Sequence, residues 1–217
     1  MQARNDFSVE ATGSAAKRQA AGGTPATTGA FTLIELLVVI AIILVLAGLT
    51  LSTIGYVQKK GARARAESEI AAMSAACESY KADNGIYPRD AATTDTLDAQ
   101  GPGDPRSTSY QQASRFLYGE LSGDRSFNHV IDPAEQGNKI YFAFKLGMLD
   151  VTTDSNGNIT AVNFLRDPFG NSYGYSTIQA ATPGSSTVGY NPTFDLWSTT
   201  GTTSGSTADR NQWIKNW

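Results

Sequence analysis

Between Phe31 and Leu51 the chain is apolar apart from one ionisable side chain, Glu35. Roughly 20 residues at ~1.5 Å each make a helical rod of ~30 Å, the thickness of bilayer hydrocarbon. Such a run must end up in lipid or against other apolar surface, and a membrane anchor is its first meaning. Glu35 adds a second constraint. A carboxylate inside an apolar span costs about 2.5–3.5 kcal/mol on insertion scales, so it needs a partner. No Lys or Arg lies between Arg18 and Lys59. A free amine on Phe31 is one candidate partner, and it exists only if the chain is cut after Ala30.

Ala30 followed by Phe31-Thr32-Leu33-Ile34-Glu35-Leu36-Leu37-Val38-Val39-Ile40 resembles the prepilin processing motif of type IV pilins and type II secretion pseudopilins. The resemblance implies a cut between Ala30 and Phe31, N-methylation of Phe31, and Glu35 as the fifth mature residue. It divides the chain into a cleaved leader (1–30), a membrane and filament-core half of a spine helix (31–52), and a periplasmic head with the rest of the spine (53–217).

Length and composition bound the remainder. At 217 residues and 41% hydrophobic, the chain can carry one modest soluble domain besides the span. Arg4, Lys17 and Arg18 outnumber Asp6 and Glu10, so the overall charge of −3 is more negative beyond residue 30. That balance argues against a nucleic-acid partner. The single cysteine, Cys77, excludes an intrachain disulfide, and the single histidine, His129, excludes a His-pair metal site.

The leader is rich in Ala, Gly, Thr and Ser without apolar periodicity, and is set aside from fold reasoning. Lys59, Lys60, Arg63 and Arg65 follow the span, and the positive-inside rule alone would keep that side in the cytoplasm. The resemblance implies the reverse, with the leader cytoplasmic and the head periplasmic, and the longer motif decides. Ile54, Val57, Ile70, Met73, Cys77 and Tyr80 recur at three- and four-residue spacing, which predicts that the helix continues to about Ala82. Asp83-Asn84-Gly85 supplies a stop and Pro88 follows. Family members often carry proline where this chain has Ser52.

Further on, Ser107 or Thr108 begins a helix to Leu121. His129 is expected in a surface loop near Asp132, with no Gly-x-Ser-x-Gly elbow to suggest catalysis. Ile140 to Phe144, Met148 to Val151 and Ile159 to Phe164 read as extended, with a hairpin turn on Asn156-Gly157. Asp167-Pro168-Phe169-Gly170-Asn171 is a turn into an extended run through Tyr173, Tyr175 and Ile178. It resembles the Asp-Pro-Trp-Gly-Asn turn of the major pseudopilins. Glu78 to Pro88 is similar to the family's junction between spine and head.

The end of the chain, from Phe194-Asp195-Leu196-Trp197-Ser198 to Asn216-Trp217, resembles the segment that commonly holds a calcium ion in major pseudopilins. Ca²⁺ takes 6–8 oxygen ligands, usually several carboxylates. Asp195 and Asp209 are the candidate ligands here, whereas Thr199 to Thr207 holds no acid and Arg210-Asn211-Gln212-Trp213 interrupts the closing segment. The alternative is a solvated loop pinned by Trp213 and Trp217.

These readings converge on an α+β pilin fold, a long N-terminal helical spine on a small antiparallel sheet. The function implied is structural, not enzymatic: a pseudopilus subunit of a type II secretion system, anchored once in a bacterial inner membrane. Its implied partners are copies of itself, prepilin peptidase, the secretion platform, minor pseudopilins and membrane lipid. A type IV pilus pilin for adhesion, motility or DNA uptake is the alternative within the same class. A membrane-anchored periplasmic enzyme or binding domain is the alternative outside it.

Overall fold

The computed structural model describes Gly29 and residues 31–217, except for the side chains of 51–54. Ala30, and with it the proposed cleavage point and all of the leader but Gly29, lies outside the described residues. One helix, α1, runs Leu33–Asn84 over 52 residues. It ends two residues beyond the expected Ala82, where Gly85 takes a left-handed φ of 78°. The Gly85 amide donates to Lys81 O at 2.8 Å, and Asn84 Nδ2 donates to Tyr80 O at 2.9 Å. Glycine reaches that φ without a Cβ penalty, so the stop is set by residue type.

The chain divides into two units, Met1–Leu49 and Thr50–Trp217. In the first, the large apolar side chains from Phe31 to Val45 remain 49–83% exposed. Among the described residues, α1 is the one helix long and apolar enough to cross a bilayer.

The second unit holds the core. Ala66, Ile70, Met73, Ala76 and Cys77 on α1 are buried against Leu117 and Leu121 of α2 (Thr108–Ser122) and against strand residues. Met73 is fully buried, which is worth about 1.5–3 kcal/mol relative to exposure. The buried stripe starts at Ala66, so Val57, expected on it, stays 63% exposed. Strands β1 (Leu149–Thr153) and β2 (Ile159–Leu165) form an antiparallel hairpin over a turn with Gly157 at φ 86°. A second antiparallel sheet has the order β3 (Gly174–Ser176), β4 (Asp195–Ser198), β5 (Ile214–Lys215). Short helices α3 (Ile178–Ala181) and α4 (Thr207–Arg210) interrupt the connections.

Strand β4 is central and buried at every position. Its two-residue period sends Leu196 into the core beneath α1 and Trp197 into a second cluster with Leu97, Tyr110 and Trp213. The architecture is therefore α+β, a long helix packed on small antiparallel sheets.

Two extended expectations change. Residues 140–144 form no strand; the Tyr141 and Phe142 amides both donate to Leu121 O, at 2.8 and 3.0 Å. The segment satisfies the open carbonyl end of α2 instead of a sheet edge. The run through Tyr173 and Tyr175 is a strand only over Gly174–Ser176, and Ile178 opens α3.

Gly174 pairs with Trp197, and a Cβ at Gly174 would fall on the Trp197 indole. Gly174→Ala should therefore cost about 1–3 kcal/mol through overpacking. Denaturant unfolding measures this, and an unchanged midpoint would contradict the close approach.

Candidate functional site

The first site is the start of α1. Glu35 Oε2 accepts from the Thr32 amide and the Thr32 hydroxyl, both at 2.9 Å, while the Glu35 amide donates to Thr32 Oγ1 at 3.2 Å. This is a reciprocal capping box, with Thr32 at the N-cap and Glu35 three residues on. It satisfies two amides that a helix start otherwise leaves open. Sequence reasoning treated Glu35 only as a charge in need of a partner. The signal that would have found its local partner is the Thr-x-x-Glu spacing itself.

The cap leaves the site half open. Both bonds fall on Oε2, and among the described residues no hydrogen bond to Oε1 is seen. Phe31 is 83% exposed, and Leu33, Ile34, Leu36 and Leu37, which flank Glu35 in the chain, are exposed as well. The arrangement is a positioned acceptor on a greasy rod.

The C-terminal region is the second site. Asp195 opens β4 and is buried; its Oδ2 accepts from the Tyr190 amide and its Oδ1 from the Asn191 amide, both at 2.8 Å. Burial pushes its pKa up, and those two amides pull it back down. Asp209 lies in α4, where its amide donates to the Ser206 cap at 3.2 Å and its carboxylate accepts from the Ser204 hydroxyl. Each of the two candidate ligands is thus engaged in its own turn. Among the described residues no three His, Cys, Asp or Glu side chains gather into a metal-holding group. This donor set does not fit calcium, which takes about 6–8 oxygens including several carboxylates. Of the two tryptophans expected to pin the loop, Trp213 reaches it: its Nε1 donates to Thr202 Oγ1 at 3.1 Å and its ring stacks on Trp197 with centroids 5.9 Å apart, whereas Trp217 stacks on Tyr190 at 4.6 Å.

Two other groups bear on function. Asp167, in the Asp-Pro-Phe-Gly-Asn turn, is buried and accepts from Phe169 N at 3.0 Å, Asn171 N at 2.8 Å and Ser198 Oγ at 2.5 Å. Burial raises its pKa, and those hydrogen bonds oppose the rise. His129 lies against Tyr118 and Asp124, not the expected Asp132. The Tyr118 hydroxyl donates to Asp124 Oδ2 at 2.7 Å and sits 3.2 Å from His129 Nδ1, while the His129 amide donates to the same Oδ2 at 2.7 Å. Phe127 and His129 have positive φ values of 59° and 62°. Such backbone is costly outside glycine, and the buried Asp124 carboxylate ties it down. The nearby hydroxyls of Ser122 and Ser126 bond to the Asp124 amide and carboxylate, at 3.1 and 3.0 Å, so the group clamps a loop.

The chain is similar to the type II secretion system core protein G of Klebsiella pneumoniae, 26% identical over 130 residues, covering 60% of this chain and 93% of that protein. No family model matches the chain and no solved structure matches it.

The raised pKa of Asp167 has a definite sign. Above its ordinary 3.8, the folded state holds the proton longer than the unfolded state, so stability falls as pH rises through that window. Asp195 shifts the same way and contributes part of the slope. Asp167→Asn keeps the Oδ1 acceptor and can donate to Ser198, so unfolding free energy should decline less with pH in that variant. An unaltered slope would remove Asp167 as a source of it.

Proposed function

We propose that this chain is a subunit of a pseudopilus, the periplasmic fibre of a type II protein secretion system. One observation carries the reading: the row of large apolar side chains from Phe31 to Val45 that the described chain leaves exposed. A rod of this kind needs lipid before assembly and other rods after it. The similarity to core protein G, spanning 93% of that protein, supports the same assignment.

In this reading prepilin peptidase removes the leader 1–30 by cutting between Ala30 and Phe31, and Phe31 is N-methylated. Residues 31–52 anchor the subunit once in the inner membrane, with the head from 53 onward in the periplasm. Cleavage creates the amine that Glu35 lacks in the intact chain. The open Oε1 then offers an incoming subunit a second acceptor for a neighbour's Phe31 amine, while Oε2 remains held by Thr32. In hydrocarbon an unpaired charge is expensive, so pairing favours one register over its neighbours. The secretion platform and minor pseudopilins are the further partners, and the role is assembly without chemistry.

Two variants separate this role from helix capping. Thr32→Ala removes the cap, costing about 1 kcal/mol of helix stability, yet keeps the carboxylate, and should still enter fibres. Glu35→Gln should insert into membrane normally but fail to incorporate, as read by shearing and sedimentation of fibres. Normal fibres from Glu35→Gln would sink the register argument. Mass spectrometry of the mature subunit should find methylated Phe31 at its start.

A further inference from the structure

Arg210 stands in the stretch that sequence reasoning saw only as an interruption. It ends α4, whose start is capped by Ser206 and whose last turn is closed by the Arg210 amide donating to Ser206 O at 2.9 Å. From there its guanidinium reaches across to the loop before α2. Nη1 donates to Gln100 O at 2.7 Å and Gly205 O at 2.9 Å, with Gly101 O sharing at 3.3 Å. Nη2 lies 3.3 Å from Thr207 Oγ1. Three backbone carbonyls from two separate loops thus converge on one cationic nitrogen.

The convergence is built on both sides. Asp98 shapes the first loop: its Oδ1 accepts from Gln100 N at 2.9 Å and Gly189 N at 3.0 Å, and Gly101 N closes back on Asp98 O at 3.2 Å. On the other side Gly205, buried at φ 61°, turns its carbonyl inward. A Cβ there would collide with the backbone of Pro102 and Gly103. The two loops therefore meet backbone to backbone.

We propose that Arg210 is an internal cation that closes the C-terminal loop in the role a bound metal would otherwise fill, so that this head holds its fold without calcium. Carbonyl oxygens crowded together repel one another and need positive charge between them. A guanidinium supplies that charge at every physiological pH, and its planar fork suits several oxygens at once. Because it is covalently attached, it involves no binding equilibrium. A metal-closed loop gains stability as free ion rises above its dissociation constant, whereas an Arg-closed loop does not.

The test uses the full chain in detergent micelles, with thermal unfolding followed by the fluorescence of Trp197, Trp213 and Trp217, in EDTA and in millimolar calcium chloride. Wild-type midpoints should agree within ~1 °C between the two, and Arg210→Gln should melt lower by on the order of 5 °C. Hydrogen exchange at residues 199–205 should quicken in the variant. A wild-type midpoint that falls in EDTA and recovers with calcium overturns the proposal, as does an Arg210→Gln protein that melts like wild type. If Arg210→Gln does not fold, Arg210→Lys carries the test. It retains the charge without the fork and should fold with the same midpoint in EDTA and in calcium chloride; a midpoint in that variant that falls in EDTA and recovers with calcium overturns the proposal equally.

Discussion

The structure depends on one unbalanced element, a helix whose first part has apolar side chains on every side and whose second part has them on one. The buried stripe from Ala66 to Cys77 is a single face, and α2 with strands β1 to β4 covers it. Polar side chains such as Arg63, Glu67 and Glu78 occupy the other positions of that stretch. From Phe31 to Val45 there is no polar face to turn outward apart from Thr32 and Glu35. A helix apolar all round must be buried somewhere, and the described chain does not bury it.

Glu35 shows how one side chain can serve two demands. Through Oε2 it completes the cap that lets α1 begin at Leu33, and it leaves the second oxygen open. The cap fixes where the carboxylate points, so any pairing made by Oε1 starts from a defined rotamer.

The head repeats one device in several loops: carboxylates turned inward to collect backbone amides. Asp195 holds the turn before β4, Asp167 the turn before β3, and Asp124 with Glu135 the loop after α2. Each spends hydrogen bonds on local backbone and so fixes the turn that it sits in. Arg210 is the counterpart of opposite sign, collecting carbonyls as the acids collect amides. In a domain with short strands, such groups supply the order that a larger sheet would give, because buried backbone groups must be paired.

By itself the sequence determined the long first helix, its stop at Asp83-Asn84-Gly85, and the β1–β2 hairpin. These rest on local causes: residue period and a glycine at positive φ. What only the tertiary structure decided was partnership across distance. Residues 140–144 look like a strand by composition, but the open carbonyl of Leu121 claims their amides. Asp195 and Asp209 belong to one closing segment by sequence, but their carboxylates are hydrogen-bonded in separate turns. Arg210 looks like an interruption, and only the fold brings Gln100, Gly101 and Gly205 to it. Periodicity reports which face of an element is apolar, whereas pairing between residues a hundred positions apart has no local signature for periodicity to report.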